Sequence, residues 1–130
     1  MNITKLTDYS LILLCEMRVG EVISSQALSE KTKIPFATVN KLLHILNKGG
    51  FCLSKAGKNG GFILIKDHSE ISFLNVIDCI EGNKTHLTEC ATTQEKQCQL
   101  KKHCKITKKI ELIDMEIRSV LSNKFLSDLL

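Results

Sequence analysis

The stretch from Pro35 to Gly50 constrains the fold more than any other part of this chain. Its apolar residues recur at the i, i+3, i+4 and i+7 positions that share one face of an α-helix. They are Val39, Leu42, Leu43 and Leu46. Pro35 suits the first turn of such a helix, and Gly49 and Gly50 are suited to end it. The pattern predicts an amphipathic helix with a single core-facing stripe.

Two helices are predicted before this stretch and a β-hairpin after it. Residues 5–18 are apolar on most sides, and ISSQALSEKT begins with serines suited to cap a short second helix. The segment FCLSKAGKNGGFILIK places two apolar runs around a turn with Asn-Gly, a strong hairpin signal. Helix, helix, tight turn, helix and two-stranded hairpin is the order of a winged helix-turn-helix. The predicted fold class is therefore mostly α with a small β-hairpin wing.

The lysines are unevenly distributed along the chain. Seven of them lie between positions 31 and 66 without any Asp or Glu, although the formal net charge is only +4. An uninterrupted block of positive charge on the third helix and the hairpin favours contact with a DNA phosphate backbone. The alternative is an ordinary solvated basic face. The candidate DNA-binding residues are Thr38, Asn40, Lys41, His44 and Lys48 on the helix, with Lys55 and Lys58 on the hairpin. The first three suit base edges, because they lie near the helix N-terminus.

The C-terminal part combines a fourth helix, a polar segment and a long amphipathic helix. Ser72 is suited to cap the helix SFLNVIDCIE, and Gly82 to end it. Apolar β-branched residues then step by 4, 3, 4 and 3 positions, at Ile106, Ile110, Ile113, Ile117 and Val120. A single seam of this kind predicts a partner helix and hence a homodimer, whereas the alternative is packing against its own domain. The predicted divisions are a DNA-binding domain at 1–82, a cysteine-containing loop at 83–104, and a dimerisation helix with the C-terminal segment at 105–130.

The six cysteines fall into two sets. Three lie singly in apolar segments and are predicted to belong to the core: Cys15, Cys52 and Cys79. The other three follow the spacing C-x7-C-x5-C in a polar segment and are Cys90, Cys98 and Cys104. No secretory signal or membrane-spanning run is recognisable, so we expect a cytoplasmic protein. In that compartment, clustered cysteines favour metal binding or redox chemistry over disulfides.

The long gaps between the clustered cysteines bear on the kind of metal site. Structural zinc usually uses shorter spacings, so the gaps favour an iron-sulfur cluster, with zinc or reactive thiols as alternatives. No nucleophile-base arrangement or phosphate-binding glycine loop is present in the sequence, and we do not expect an enzyme.

Four features carry a resemblance to a known family: LTDY near the start, IPFATVNKLLHILNKGG, KNGGF in the wing, and the three-cysteine loop. With the long C-terminal helix, they make the chain resemble the bacterial winged helix-turn-helix iron-sulfur transcription regulators of the IscR/NsrR family. The resemblance runs from NITKLTDYSLILL to FLSDLL. KLTDYS and LTEC are most similar to the members that regulate cluster-assembly operons.

The resemblance implies a homodimer that binds a double-stranded DNA operator and carries a 2Fe-2S or 4Fe-4S cluster. It also implies a regulator, expected to be a repressor, of iron-sulfur cluster assembly genes that responds to cluster or iron status or to oxidative or nitrosative stress. The alternative is a zinc-stabilised DNA-binding protein without a sensing cluster. Family members often have a wing Arg where this chain has Ala56, which leaves Lys55 or Lys58 for the phosphate contact.

The resemblance also implies a ligand set. IscR-like members place a His three residues after the last cysteine, where this chain has Thr107. NsrR-like members use an Asp near the N-terminus that the other subunit supplies, and Asp8 stands at that place. The implied ligands are therefore Cys90, Cys98, Cys104 and Asp8, with His103 and His86 as reserve ligands.

Overall fold

The computed structural model describes residues 3–88 and 103–130 of the chain. Its main elements are α1 (Lys5–Glu16), β1 (Val22–Ile23), α2 (Ser25–Thr32), α3 (Phe36–Lys48), β2 (Cys52–Lys55), β3 (Gly61–Leu64), α4 (Phe73–Glu81) and α5 (Thr107–Ser122). Short 3-10 helices cover His68–Glu70, Gly82–Thr85 and Leu126–Leu129. This order confirms the predicted winged helix-turn-helix fold class with its long C-terminal helix.

Local sequence signals set the ends of the two helices that form the helix-turn-helix. The Ser24 hydroxyl accepts a hydrogen bond of 3.0 Å from the Ala27 amide and so caps α2. Lys33 closes α2 in the left-handed conformation, with φ of 63°. Pro35 lies at the N-cap position of α3, one residue earlier than the predicted first turn. The turn between the helices is therefore short and fixed at both ends.

The sheet differs from the sequence prediction in having three strands. Their order is β1-β3-β2, with both pairings antiparallel. β1 has only two residues, too few for an alternating pattern to be visible in the sequence. Gly61 of β3 allows β1 to pack closely against it, because a Cβ at position 61 would lie 2.6 Å from the carbonyl carbon of Ile23 in β1. The hairpin prediction is confirmed, and the connection between its strands spans residues 56–60 and contains the Asn-Gly pair.

The core lies between α1, the helix-turn-helix and the inner face of the sheet. The predicted stripe of α3 is fully buried: Val39, Leu42, Leu43 and Leu46. Cys52 is buried in the same cluster, and Cys15 and Cys79 pack against it while partly exposed, which confirms the core prediction for these three cysteines. Leu126 from the C-terminal segment is also fully buried there.

The C-terminal segment after α5 is attached to the start of α4. The Leu126 amide donates a hydrogen bond of 2.9 Å to the Ile71 carbonyl, and the Phe73 amide donates one of 2.8 Å to the Lys124 carbonyl. The C-terminal end of α5 is therefore fixed to the winged helix domain.

The predicted seam of α5 is only partly covered. Ile106, Ile113 and Val120 are 59%, 46% and 60% exposed, and Ile110 and Ile117 are partly buried. Leu112 and Met115 of the same helix are also exposed. No helix in the described part of the chain is long and apolar enough to cross a membrane.

Candidate nucleic-acid interface and cysteine site

The face of α3 opposite the buried stripe is exposed and basic. Lys41, His44 and Lys48 are exposed on it, and Thr38 and Asn40 are partly buried at its two edges. All five candidate residues of α3 therefore lie on this exposed face or at its edges. Because the leucine stripe is held in the core, this face is directed away from the domain, as a recognition helix requires.

Two contacts orient side chains at this face. The Ser25 hydroxyl of α2 donates a hydrogen bond of 3.2 Å to Asn40 Oδ1, which leaves the amide nitrogen of Asn40 available as a donor. The His44 ring packs edge-on against Phe62 of β3, with ring centroids 5.5 Å apart and planes at 83°. The helix face and the wing are thus connected through an aromatic pair.

The wing carries Lys55 at the end of β2 and Lys58 in the connection, both exposed. Gly60 fixes the shape of this turn, because a Cβ there would lie 2.9 Å from the Gly57 carbonyl oxygen. The amide of Gly60 also donates a hydrogen bond of 3.0 Å to that oxygen. The lysines of the hairpin are therefore presented on a tight backbone turn.

Of the four proposed cluster ligands, the described part of the chain contains Cys104 and Asp8, whereas Cys90 and Cys98 lie outside it. Hydrogen bonds from the Thr107 hydroxyl and from the Ile106 and Thr107 amides lower the pKa of the Cys104 thiol and outweigh the opposing effect of desolvation. These donors belong to the beginning of α5, so the helix N-terminus stabilises the thiolate. Thr107, three residues after Cys104, thus acts as a hydrogen-bond donor to Cys104.

Asp8 lies exposed in the first turn of α1. The nearby residues Thr4 and Thr7 form hydrogen bonds with Glu81, the last residue of α4. Glu81 Oε1 accepts hydrogen bonds from the Thr4 amide at 2.8 Å, the Thr4 hydroxyl at 2.6 Å and the Thr7 hydroxyl at 2.6 Å. The start of α1 is therefore fixed to the end of α4, and Asp8 is directed to solvent.

The beginning of the cysteine loop is anchored to α5 through Asp114. This carboxylate is 2% exposed and accepts hydrogen bonds from His86 Nδ1 at 2.7 Å and from the Leu87 amide at 2.9 Å. Burial raises the pKa of Asp114, but the hydrogen bonds of His86 and Leu87 and the charge of Arg118 outweigh it and lower the pKa. His86, a reserve ligand, is thus already bound through one ring nitrogen, and the other reserve ligand, His103, is exposed.

A second anchor lies beside the first. Arg118 of α5 donates to both carboxylate oxygens of Asp78 in α4, at 3.2 Å and 2.7 Å, and to the Thr85 hydroxyl at 2.8 Å. Glu81, Asp114 and Arg118 stand in no motif that marks them in the sequence. The only signal for the last two was an Asp and an Arg four residues apart on one helix, a spacing that many solvated helices share.

The side-chain types of Cys104 and Asp8 are compatible with ligation of an iron-sulfur cluster. Hydrogen bonds lower the pKa of the Cys104 thiol, which favours its ligand form, and the Asp8 carboxylate has no hydrogen-bond partner among residues 3–88 and 103–130. By contrast, burial and the nearby Cys79 raise the pKa of Cys52 to about 11, and desolvation raises the pKa of Cys79. Within the same residues, no group of three or more His, Cys, Asp or Glu side chains could hold a metal ion.

Three features together define a winged helix DNA-binding regulator. They are a recognition helix with a basic outer face, a short sheet with a lysine-bearing wing, and a long C-terminal helix. The sequence model of one family matches residues 3–130. The chain belongs to this Rrf2 family, which is described as "Iron-dependent Transcriptional regulator". This confirms the predicted regulator family, and its members are DNA-binding transcription regulators.

Individual relatives agree with this assignment. The chain is 30% identical over 109 residues to the HTH-type transcriptional regulator NsrR of Shouchella clausii, covering 82% of this chain and 72% of that protein. NsrR of Oceanobacillus iheyensis is 29% identical over 133 residues, covering 100% and 90%.

Solved structures show the same fold. CymR of B. subtilis, titled the global cysteine regulator, superimposes with a TM-score of 0.72 at 20% identity and covers 99% of this chain and 95% of its own. IscR of T. potens gives a TM-score of 0.62 at 20% identity, covering 99% and 85%.

Proposed function

We propose that this protein is a homodimeric, operator-binding transcription regulator controlled by an iron-sulfur cluster on Cys90, Cys98, Cys104 and the partner's Asp8. The observation that carries the proposal is the position of Cys104 at the N-terminus of α5, where hydrogen bonds from Thr107 and Ile106 lower the pKa of its thiol, on a helix whose apolar seam is partly exposed. A relative named NsrR and a structural neighbour named IscR support the cluster. The expected targets are cluster-assembly genes, and the expected action is repression.

The anchors around the loop suggest how cluster status reaches the DNA-binding helices. When bound, a cluster supplies a centre that oxygen, nitric oxide or iron shortage modifies. The loop leaves α4 beside the Asp114 and Arg118 anchors and returns to α5 at Cys104. A change in the loop therefore acts on α5 at two points, and α5 is the helix proposed to join the two protomers. Such a change would alter the spacing of the two recognition helices.

The homodimer is supported by the exposed seam of α5 and by the exposure of Asp8. Apolar side chains that repeat with heptad-like spacing on an exposed helix favour a second helix as partner. Asp8 belongs to α1, which is fixed to α4 through Glu81, so its carboxylate is held at the surface where a second protomer can use it.

The test is anaerobic purification followed by visible absorption and by iron, sulfide and zinc analysis. We expect a coloured protein whose cluster is lost or destabilised in Asp8→Ala and retained in Glu21→Ala, a matched exposed carboxylate outside the proposed site. Operator affinity is then measured with and without the cluster. A colourless, zinc-containing protein after reconstitution would refute the cluster-dependent regulator and leave the zinc-stabilised DNA-binding protein. Equal affinities in the two states would refute control of DNA binding by the cluster.

A further inference from the structure

Phe36 is an aromatic residue exposed at the start of the recognition helix. It is the first residue of α3, and 53% of its surface is accessible, whereas Ile34, two residues earlier, is 4% exposed. The core stripe of the helix begins one turn later, at Val39. A single exposed apolar side chain is unremarkable by itself, so its position and surroundings decide whether it has a role.

The ring of Phe36 forms one wall of an open depression between α2 and α3. The other lining residues are Gln26, Ser29 and Glu30 of α2, and the volume is about 410 Å³. The site thus combines an apolar wall with side chains that form hydrogen bonds. The Glu30 carboxylate repels a phosphate group, so the depression suits an uncharged ligand edge rather than the DNA backbone.

The depression adjoins the polar end of the proposed DNA-binding face. Phe36 and Asn40 are four residues apart and therefore neighbours on the helix surface. Asn40 is oriented by Ser25 with its amide nitrogen free to donate, a group suited to a base edge. In helix-turn-helix proteins the N-terminal residues of the recognition helix are the ones that approach the bases.

We propose that Phe36 contacts the C5-methyl group of a thymine in the major groove and thereby selects thymine at one operator position. This inference rests on the proposed operator binding and adds a specificity residue to it. Among the four bases only thymine presents a methyl group in the major groove, and apolar contact is the way proteins read it. Phe36 supplies such a contact without any charge, so it adds specificity and does not add to phosphate binding.

The proposal makes a quantitative prediction about modified DNA. Replacing the contacted thymine by deoxyuridine removes the methyl group and leaves base pairing intact. The free energy of burying one methyl-sized group corresponds to about a fourfold change in affinity. We expect this loss at one thymine of each half-site in the wild-type protein, and no loss at that position in Phe36→Ala.

The experiment uses the full-length protein in one cluster state throughout. A duplex selected by the wild type from a random-sequence pool serves as the probe, and each thymine in turn is replaced by deoxyuridine. Binding is measured by fluorescence anisotropy for the wild type, Phe36→Ala, Phe36→Leu and the control Val19→Ala. Val19 is 54% exposed and lies beside Leu64, at the end of the sheet away from the wing turn.

Three outcomes separate the inference from the function on which it rests. A deoxyuridine effect that Phe36→Ala abolishes, and that Phe36→Leu and Val19→Ala retain, supports the inference. Sequence-specific binding in which no deoxyuridine effect depends on Phe36 overturns the inference and leaves operator binding in place. A wild type that selects no sequence from the pool overturns both. As a further check, the salt dependence of binding stays unchanged in Phe36→Ala, because no phosphate contact is removed.

Discussion

Removal of the Asp114 carboxylate tests how firmly the cysteine loop is attached to α5. In Asp114→Ala, the Leu87 amide and His86 Nδ1 lose the acceptor they share at 2.9 Å and 2.7 Å. The site is 2% exposed, so water does not readily replace the lost oxygen atoms. Arg118, whose charge contributes to the lowered pKa of Asp114, remains in place. The variant therefore leaves two donors, the Leu87 amide and His86 Nδ1, without their acceptor, while Arg118 stays paired with Asp78.

The expected loss of stability follows from these contacts. A hydrogen bond to a charged group contributes about 1.5–3 kcal/mol, and Asp114→Ala removes two of them. We expect Asp114→Ala to lower the free energy of unfolding by about 3 kcal/mol. Asp114→Asn keeps the shape and one acceptor oxygen, so its loss is expected to be smaller, about 1–2 kcal/mol.

Urea unfolding followed by circular dichroism at one fixed protein concentration measures these values, since dimer stability depends on concentration. Glu116→Ala is the matched control, because it removes an exposed carboxylate from the same helix and should change stability by less than about 0.5 kcal/mol. His86→Ala, combined with Asp114→Ala, gives the coupling energy of the pair. A loss below about 1 kcal/mol in Asp114→Ala, or one equal to that of Glu116→Ala, would refute the role given to this anchor.

The pH dependence gives an independent check. Because the pKa of Asp114 is lowered in the folded protein, its contribution is fully present above the unfolded-state pKa and is lost as pH falls through the folded value. The stability difference between the wild type and Asp114→Asn is therefore expected to hold at neutral pH and to shrink in acid, below about pH 4. A difference that does not change down to pH 2 would contradict the assignment of charge to this group.

Three further predictions follow from other parts of the molecule. Gly61→Ala is expected to cost about 1–3 kcal/mol in urea unfolding because its Cβ would meet the backbone of β1, and wild-type stability would contradict this. Cys104 is expected to be alkylated by iodoacetamide at lower pH than Cys52, whose pKa is raised to about 11, and site-resolved mass spectrometry of the folded apoprotein measures both rates. Equal rates would contradict the pKa assignments. Lys48→Ala is expected to reduce the slope of log affinity against log salt by about 1 for each protomer, and an unchanged slope would show that Lys48 makes no phosphate contact.

Much of the fold was predictable because it depends on local patterns. The stripe of α3 predicted both the helix and its buried face, and Ser24, Ser72 and Gly82 marked helix ends through short-range backbone effects. Strand β1 was not predictable, because two residues carry no periodicity and their pairing with β3 depends on a distant glycine. The packing of Leu126 into the core was missed for the same reason, since its partners are far away in sequence.

The candidate functional site was likewise only partly predictable from the sequence. Residue type and spacing alone pointed to the clustered cysteines and to the polar face of α3, because ligand chemistry and helical period are properties of the sequence. The sequence did not reveal that Thr107 stabilises the Cys104 thiolate or that Glu81 holds the first turn of α1. It also did not reveal that Phe36 is exposed beside α2, because its position near the stripe is equally compatible with burial. Only the tertiary structure decided these points, since burial and hydrogen-bond partners depend on which distant segments meet in space.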